Sequence, residues 1–128
     1  MNIIETKTAG AQAPADLAGV VLLAPDADPL ALPLEGVTRV ELQFPKFTDG
    51  RAFSQALLLR RRRGFRGDIR ATGDVLVDQL VQMERSGFSS AVLRADQDVA
   101  HAKRQVERYP AFYQGDVLES RPLFARFV

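Results

Sequence analysis

The stretch GFRGDIRATGD, residues 64–74, is followed by a second stretch of similar plan, GFSSAVLRADQD, at residues 87–98. Each begins with a Gly that can end a helix, passes through a Phe into a short strand, and then reaches an Arg and an acidic residue. The spacing between them is typical of consecutive β-α units. Because crossovers between parallel strands are right-handed, the carboxyl ends of these strands would share one edge of a sheet. The repeat therefore predicts an α/β domain.

The sequence on either side of the repeat extends this pattern. We predict a flexible N-terminal arm over residues 1–17 and a single α/β domain over residues 18–128, with a mostly parallel sheet resembling half a barrel. The main rival is a doubly wound sheet with helices on both faces. Strands are predicted at residues 19–24, 37–44, 68–72, 90–94 and 111–114, and helices at residues 52–63, 74–86 and 96–109. Alternation in the second strand directs Thr38, Val40, Leu42 and Phe44 towards the core.

The composition excludes several classes of protein. The 128 residues carry 17 basic and 16 acidic side chains, a balance that argues against proteins that coat polyanions through bulk charge. The absence of Cys excludes disulfides, a catalytic thiolate and iron–sulfur ligation by this chain. A single histidine, His101, leaves too few ligands for a zinc site, so no metal is expected. No apolar run is long enough to cross a bilayer and no signal peptide is recognisable, so we expect a cytoplasmic protein.

Polar residues cluster where the predicted strands end. The segment FPKFTDGR, residues 44–51, supplies Lys46, Thr48, Asp49 and Arg51, and the two repeats supply Arg70, Asp74 and Arg94. Ligands of parallel α/β folds bind at the carboxyl ends of the strands, so these seven residues are our candidates for a ligand-binding site. Cations and exposed amides at helix starts suit sulfate, sulfite or a phosphate group. No catalytic residue is predicted.

Ordinary structural roles compete with this hypothesis. The segment FPKFTDGR is also a well-formed turn in which Thr48 or Asp49 caps a helix, and capping is the favoured role of Asp74. Asp96 is likewise interpreted as the cap of the last helix. Four consecutive arginines, Arg60–Arg63, occupy the last turn of a helix, where cations offset the helix dipole. We interpret them as a solvated helix end, and nucleic-acid binding is not expected.

Three motifs in order, FPKFTDGR, GDVLVDQL and LRADQD, resemble a family of small bacterial proteins of unknown function. Members are encoded beside sulfite reductase and other sulfate-assimilation genes and are labelled as oxidoreductases of sulfite reduction. The resemblance covers residues 18–125. Phe53 and Val77 depart from the family pattern, in which a Tyr and a polar residue are usual. The resemblance implies a role in sulfate assimilation, with sulfite reductase or another enzyme of the pathway as a partner.

Because the chain has no Cys, neither thiol attack on a sulfonucleotide nor sirohaem–iron–sulfur chemistry is possible without a partner. We therefore expect an accessory protein that binds an oxyanion or a phosphorylated ligand. One alternative is a structural subunit that docks on sulfite reductase, and another is an oxidoreductase that uses a flavin or a nicotinamide. The sequence leaves the cofactor unknown. Three long helices for four or five strands would leave one sheet face poorly covered, so a homo-oligomer is also expected.

Overall fold

A computed structural model describes residues 1–5 and 18–108. Within these residues all strand pairings are parallel, and the sheet order is β1-β5-β4-β3-β2. The strands are β1 (Asn2–Ile4), β2 (Val20–Leu23), β3 (Arg39–Phe44), β4 (Asp68–Gly73) and β5 (Ser90–Val92). The helices are α1 (Arg51–Arg61), α2 (Leu80–Ser86), which follows a 3₁₀ turn at Val77–Gln79, and α3 (Val99–Arg108). The prediction of a small α/β fold with a parallel sheet is confirmed.

The strands from β2 to β5 are neighbours in chain order, as they would be in half of a barrel. The three helices all contribute to one core on one face of the sheet, whereas a doubly wound sheet would carry helices on both faces. This core is made of aliphatic and aromatic side chains of the sheet and helices, among them Val40, Leu42, Phe44, Ala56, Leu59, Ile69, Leu80, Met83 and Ala102. The described part of the chain therefore forms two layers.

Alternation along β3 explains how this strand separates the two faces of the sheet. Val40, Leu42 and Phe44 are fully buried towards the helices, as predicted, whereas Thr38 precedes the strand and is exposed. The residues between them point to the second face, where Arg39 Nη2 lies 3.1 Å from Glu41 Oε2. Glu41 is only 4% exposed. A buried carboxylate requires such a partner, because its desolvation would otherwise be very costly.

The structure differs from the prediction at the start of the chain. Asn2–Ile4 form the edge strand β1 beside β5, although residues 1–17 were expected to form an arm. Three residues are too few to show a period, and it is pairing with β5 that makes them a strand. The predicted last strand, residues 111–114, lies outside the described residues, as does Tyr109.

The end of α1 is held by a buried arginine. Arg60 is 7% exposed, and its Nε donates to the Gly87 carbonyl at 2.9 Å. Its Nη1 donates to the carbonyls of Phe65 at 2.9 Å and Gly67 at 2.7 Å. Arg63 Nη1 donates to the Pro29 carbonyl at 2.8 Å. The interpretation of Arg60–Arg63 as a solvated helix end is therefore wrong for Arg60 and Arg63, which bind backbone carbonyls.

Candidate functional site

The loops that follow β3, β4 and β5, with the first helical residues after the first two, meet at one edge of the sheet, which we call the carboxyl edge (residues 45–51, 74–79 and 93–98, with Glu5 after β1). Two backbone hydrogen bonds join these loops to their neighbours. The Asp74 N–H donates to the Phe44 carbonyl at 2.8 Å, and the Arg94 N–H donates to the Val75 carbonyl at 3.1 Å. Parallel pairing thus brings residues about 20–50 positions apart in sequence to one surface.

Gly73 makes the approach of the β3 and β4 loops possible. Its φ is +92°, and a Cβ at this position would lie 2.5 Å from the Phe44 carbonyl oxygen. Any other residue would both adopt an unfavourable backbone conformation and collide with the backbone of the neighbouring strand. Gly73, the last glycine of the first repeat, is therefore required because the two loops lie so close together.

Asp74 connects all three loops through its carboxylate. Oδ2 accepts a hydrogen bond from the Phe47 N–H at 2.8 Å, and Oδ1 accepts one from Arg94 Nη1 at 2.7 Å. These bonds, that from Arg94 first, lower the pKa of Asp74. The predicted capping role is wrong, because the helical turn begins only at Val77, after the extended residue Leu76, and has no side-chain cap. The carboxylate instead holds the loop after β4 to the loops after β3 and β5.

Arg94 is shared between two carboxylates. Besides Asp74, it contacts Asp96 through Nε at 2.6 Å and Nη2 at 2.8 Å. This bidentate pairing lowers the pKa of Asp96 to about 2 and raises that of Arg94. Asp96 is not the cap of α3, since Asp98 accepts the Ala100 N–H at 2.9 Å in that role. The positive charge of Arg94 is therefore already neutralised within the edge.

The β3–α1 loop contains a second arginine–carboxylate pair. Arg51 contacts Asp49 through Nη2 at 2.6 Å and Nε at 3.0 Å, and the pair lowers the pKa of Asp49 to about 2. Asp49 Oδ1 also accepts the N–H of Arg51, the first residue of α1, at 3.0 Å. Of the two predicted caps, Asp49 therefore satisfies an amide at the start of this helix. Lys46 and Thr48 are exposed, and their side chains have no partner among the residues that the structure describes.

Arg70 lies away from the other six candidates. It is the third residue of β4, about 10 Å before the strand ends at the ordinary rise per residue. Its side chain is on the second face of the sheet, where Nε donates to Ser90 Oγ at 3.0 Å and Nη2 lies 3.3 Å from Asp68 Oδ2. Because Arg70 is in register with Ser90, the residue level with Arg94 is Asp74. The two arginines, which appear to match in the repeat, are therefore offset by four positions in the register of the sheet.

Sequence reasoning missed Phe47, whose side chain is 49% exposed at the centre of the carboxyl edge. Its N–H donates to Asp74, and its carbonyl accepts a short hydrogen bond from Gln79 Nε2. The backbone of this exposed aromatic residue is thus held on both sides by side chains that follow β4. The available signal was an aromatic residue inside an otherwise polar loop, KFTD at residues 46–49.

A cavity of about 480 Å³ opens beside the carboxyl edge, between the ends of β1 and β5 and the start of α3. Its volume is in the range of small-molecule sites. Its polar lining includes the carboxylates of Glu5 and Asp98, whereas its cation, Arg94, is held by Asp74 and Asp96. Among the described residues, this lining supplies no unpaired cation for an oxyanion.

A family model described as bacterial protein of unknown function (DUF934) matches residues 20–124. The chain belongs to the DUF934 family. Neither the comparison with curated proteins nor that with solved structures found a match. Over residues 1–5 and 18–108, no group of three or more His, Cys, Asp or Glu side chains could hold a metal ion. In the same part of this family member, no helix is long and apolar enough to cross a membrane.

Proposed function

We propose that this protein is an accessory protein of sulfite reduction in sulfate assimilation, which acts by docking on a partner enzyme through its carboxyl edge. The pathway comes from the family resemblance of the three strand-end motifs. The docking mode is supported above all by Phe47, an exposed aromatic residue with a fixed backbone. The proposal places the protein in the cytoplasm together with its partner.

The charges of the carboxyl edge favour docking over binding of an oxyanion. Both arginines there, Arg51 and Arg94, are already bound to carboxylates. A sulfite or sulfate ion would have to displace a carboxylate before it could bind either arginine. Among the described residues, acidic groups at this edge outnumber basic ones: Glu5, Asp49, Asp74, Asp78, Asp96 and Asp98 against Lys46, Arg51 and Arg94. The resulting field repels a small anion and attracts a basic surface.

The fixed position of Phe47 suits it to be the anchor of an interface. A few buried aromatic residues supply most of the binding free energy in protein complexes. An anchor whose backbone is already ordered loses less conformational entropy on binding than a residue of a mobile loop. We therefore infer a partner surface with an apolar pocket for Phe47 and basic residues around it.

Binding of the sulfite reductase from the same organism tests this proposal. We expect immobilised reductase to bind the wild-type protein and Phe47→Ala to weaken the affinity by at least about tenfold, as for an interface anchor. Leu30→Ala is the matched control, because Leu30 is a similarly exposed hydrophobic residue outside the edge. Docking through this edge is excluded if the reductase does not bind, or if both variants bind like the wild type.

The β3–α1 loop supports a second candidate function, binding of an oxyanion or phosphorylated ligand. Helix α1 has no acidic residue in its first turn, and Lys46 and Thr48 are exposed just before it. Calorimetric titration with sulfate, sulfite and an adenine nucleotide tests this function. We expect Lys46→Ala to weaken such binding by about tenfold, the loss of one charged hydrogen bond. Arg70→Ala should leave it unchanged, because Arg70 lies on the sheet face.

Two simple measurements address the remaining alternatives. A visible absorption spectrum of the purified protein tests for a bound flavin, which the oxidoreductase alternative requires. Sedimentation at micromolar concentration tests the proposed homo-oligomer.

A further inference from the structure

Four exposed arginines lie at the end of the molecule opposite the carboxyl edge. We call Arg61, Arg62, Arg66 and Arg85 the basic face; they are located where α1 and α2 end and just before β4 begins. Their side chains have no hydrogen-bond or ion-pair partner among the described residues. This end therefore carries unpaired positive charge, whereas the arginines of the carboxyl edge are paired.

The buried Arg60 brings these four arginines together. Arg61 and Arg62 follow it directly in the chain, and Arg66 lies between the two residues, Phe65 and Gly67, whose carbonyls accept from Arg60. Arg85 is two residues before Gly87, whose carbonyl accepts from Arg60 Nε. The basic face is thus built on a rigid base that connects α1, the following loop and the end of α2.

The carboxylates near this base are already engaged. Glu84 Oε2 lies 2.9 Å from the N-terminal ammonium, and Asp68 accepts from Arg70 and from the hydroxyls of Ser89 and Ser90. Neither is free to neutralise the four guanidinium groups. Burial lowers the pKa of Arg60, whereas the charge of Asp68 raises it and that of Arg66 lowers it. Charge concentrated in this way attracts an acidic partner.

Leu57 adds an apolar contact beside these charges. It is 37% exposed and lies four residues before Arg61, so the two side chains are neighbours on the outer face of α1. An exposed apolar side chain among cations is typical of a protein interface, where an apolar centre is surrounded by charged groups. A nucleic acid would use phosphate contacts along an extended basic surface instead.

We propose that the basic face and Leu57 form a binding surface for a second protein, whose own surface carries several carboxylates around an apolar side chain. This inference goes beyond the proposed function, because it uses the opposite end of the molecule and arginines that play no part in the carboxyl edge. With two surfaces of opposite charge, the protein would be able to hold a basic and an acidic partner at the same time.

Titration of the isotopically labelled full chain, followed by NMR, tests the surface. The probes are a short glutamate-rich peptide with a central leucine, the same peptide with serine in place of leucine, and a short DNA duplex. We expect the leucine peptide to shift the amides of residues 57–66 and 85, and to bind several-fold more tightly than the serine peptide. Added salt should weaken its binding, as for any contact between exposed charges.

Two double variants of equal charge change make the test specific. Arg61→Glu with Arg66→Glu should weaken binding of the leucine peptide by about tenfold or more. Lys103→Glu with Arg104→Glu changes the same amount of charge at exposed positions of α3 and should weaken it far less. The proposal is overturned if both double variants lose binding equally, if the two peptides bind alike, or if DNA binds more tightly than the leucine peptide. Phe47→Ala should leave peptide binding unchanged, which separates this surface from the carboxyl edge.

Discussion

The two ends of the sheet use arginine in different ways. At the carboxyl edge, Arg51 and Arg94 bind carboxylates of their own or neighbouring loops, in pairs that are partly exposed to solvent. At the opposite end, Arg60 and Arg63 bind backbone carbonyls, and Arg60 does so while buried. Exposed ion pairs add little stability, whereas a buried donor removed from three carbonyls leaves them unsatisfied. The comparison therefore predicts that Arg60 contributes strongly to the free energy of unfolding. The arginine–carboxylate pairs of the carboxyl edge should instead act mainly by ordering its loops.

The largest effect is expected for Arg60→Met. Methionine keeps the apolar volume but cannot donate to Gly87, Phe65 or Gly67, so we expect a loss of about 3–5 kcal/mol in the free energy of unfolding. Urea denaturation provides the measurement. Arg61→Met, an exposed arginine in the next position, should change stability by about 0.5 kcal/mol or less. Similar losses in the two variants would contradict the difference drawn between them.

A smaller loss is expected for Gly73→Ala at the carboxyl edge. The added Cβ would meet the Phe44 carbonyl oxygen, and we expect a cost of roughly 2–4 kcal/mol from strain and displacement of the strand. Gly64→Ala is the control, because Gly64 also has a positive φ but a Cβ added there would meet nothing within 4 Å. It should cost about 1 kcal/mol, which is the cost of the backbone conformation alone. Equal costs at the two glycines would mean that the two loops can separate easily.

Asp74→Ala tests how the exposed aromatic residue is held. Its removal takes away the acceptor for the Phe47 N–H, so amide hydrogen exchange at Phe47 should become about tenfold faster or more. Asp96→Ala removes the other carboxylate partner of Arg94 but not this acceptor, and it should leave exchange at Phe47 nearly unchanged. Protection of Phe47 that survives in Asp74→Ala would show that Gln79 is sufficient to hold the loop.

The smallest effect is expected in acid. Pairing with arginine lowers the folded-state pKa of Asp49 and Asp96 from 3.8 to about 2. A lowered folded pKa stabilises the protein above the unfolded pKa, and this contribution is lost as the pH falls from about 4 to about 2. The double variant Asp49→Asn with Asp96→Asn should therefore show a weaker decrease of the melting temperature over this range. An unchanged decrease would mean that neither ion pair is formed in solution.

Much of the fold was predictable because it depends on local pattern. Alternation along β3 correctly assigned Val40, Leu42 and Phe44 to the core, and the Gly-Phe-strand repeat correctly indicated parallel β-α units. Edge strand β1 was not predictable, since three residues show no period and only the partner β5 orders them. The roles of acidic residues were equally hard to assign. Asp74 and Asp96 look like helix caps in the sequence but pair with Arg94 across loops.

What the sequence by itself determined is the set of chemical possibilities. Without Cys and with a single His, the chain excludes thiolate chemistry of its own, and its strand-end motifs identify its family before any coordinates are considered. Only the tertiary structure decided which charges remain available. It pairs Arg51 and Arg94 with carboxylates, places Arg70 on the sheet face, and leaves Phe47 exposed. The physical reason is that the charge presented by a side chain depends on its neighbours in space, and parallel pairing chooses those neighbours from loops far apart in sequence.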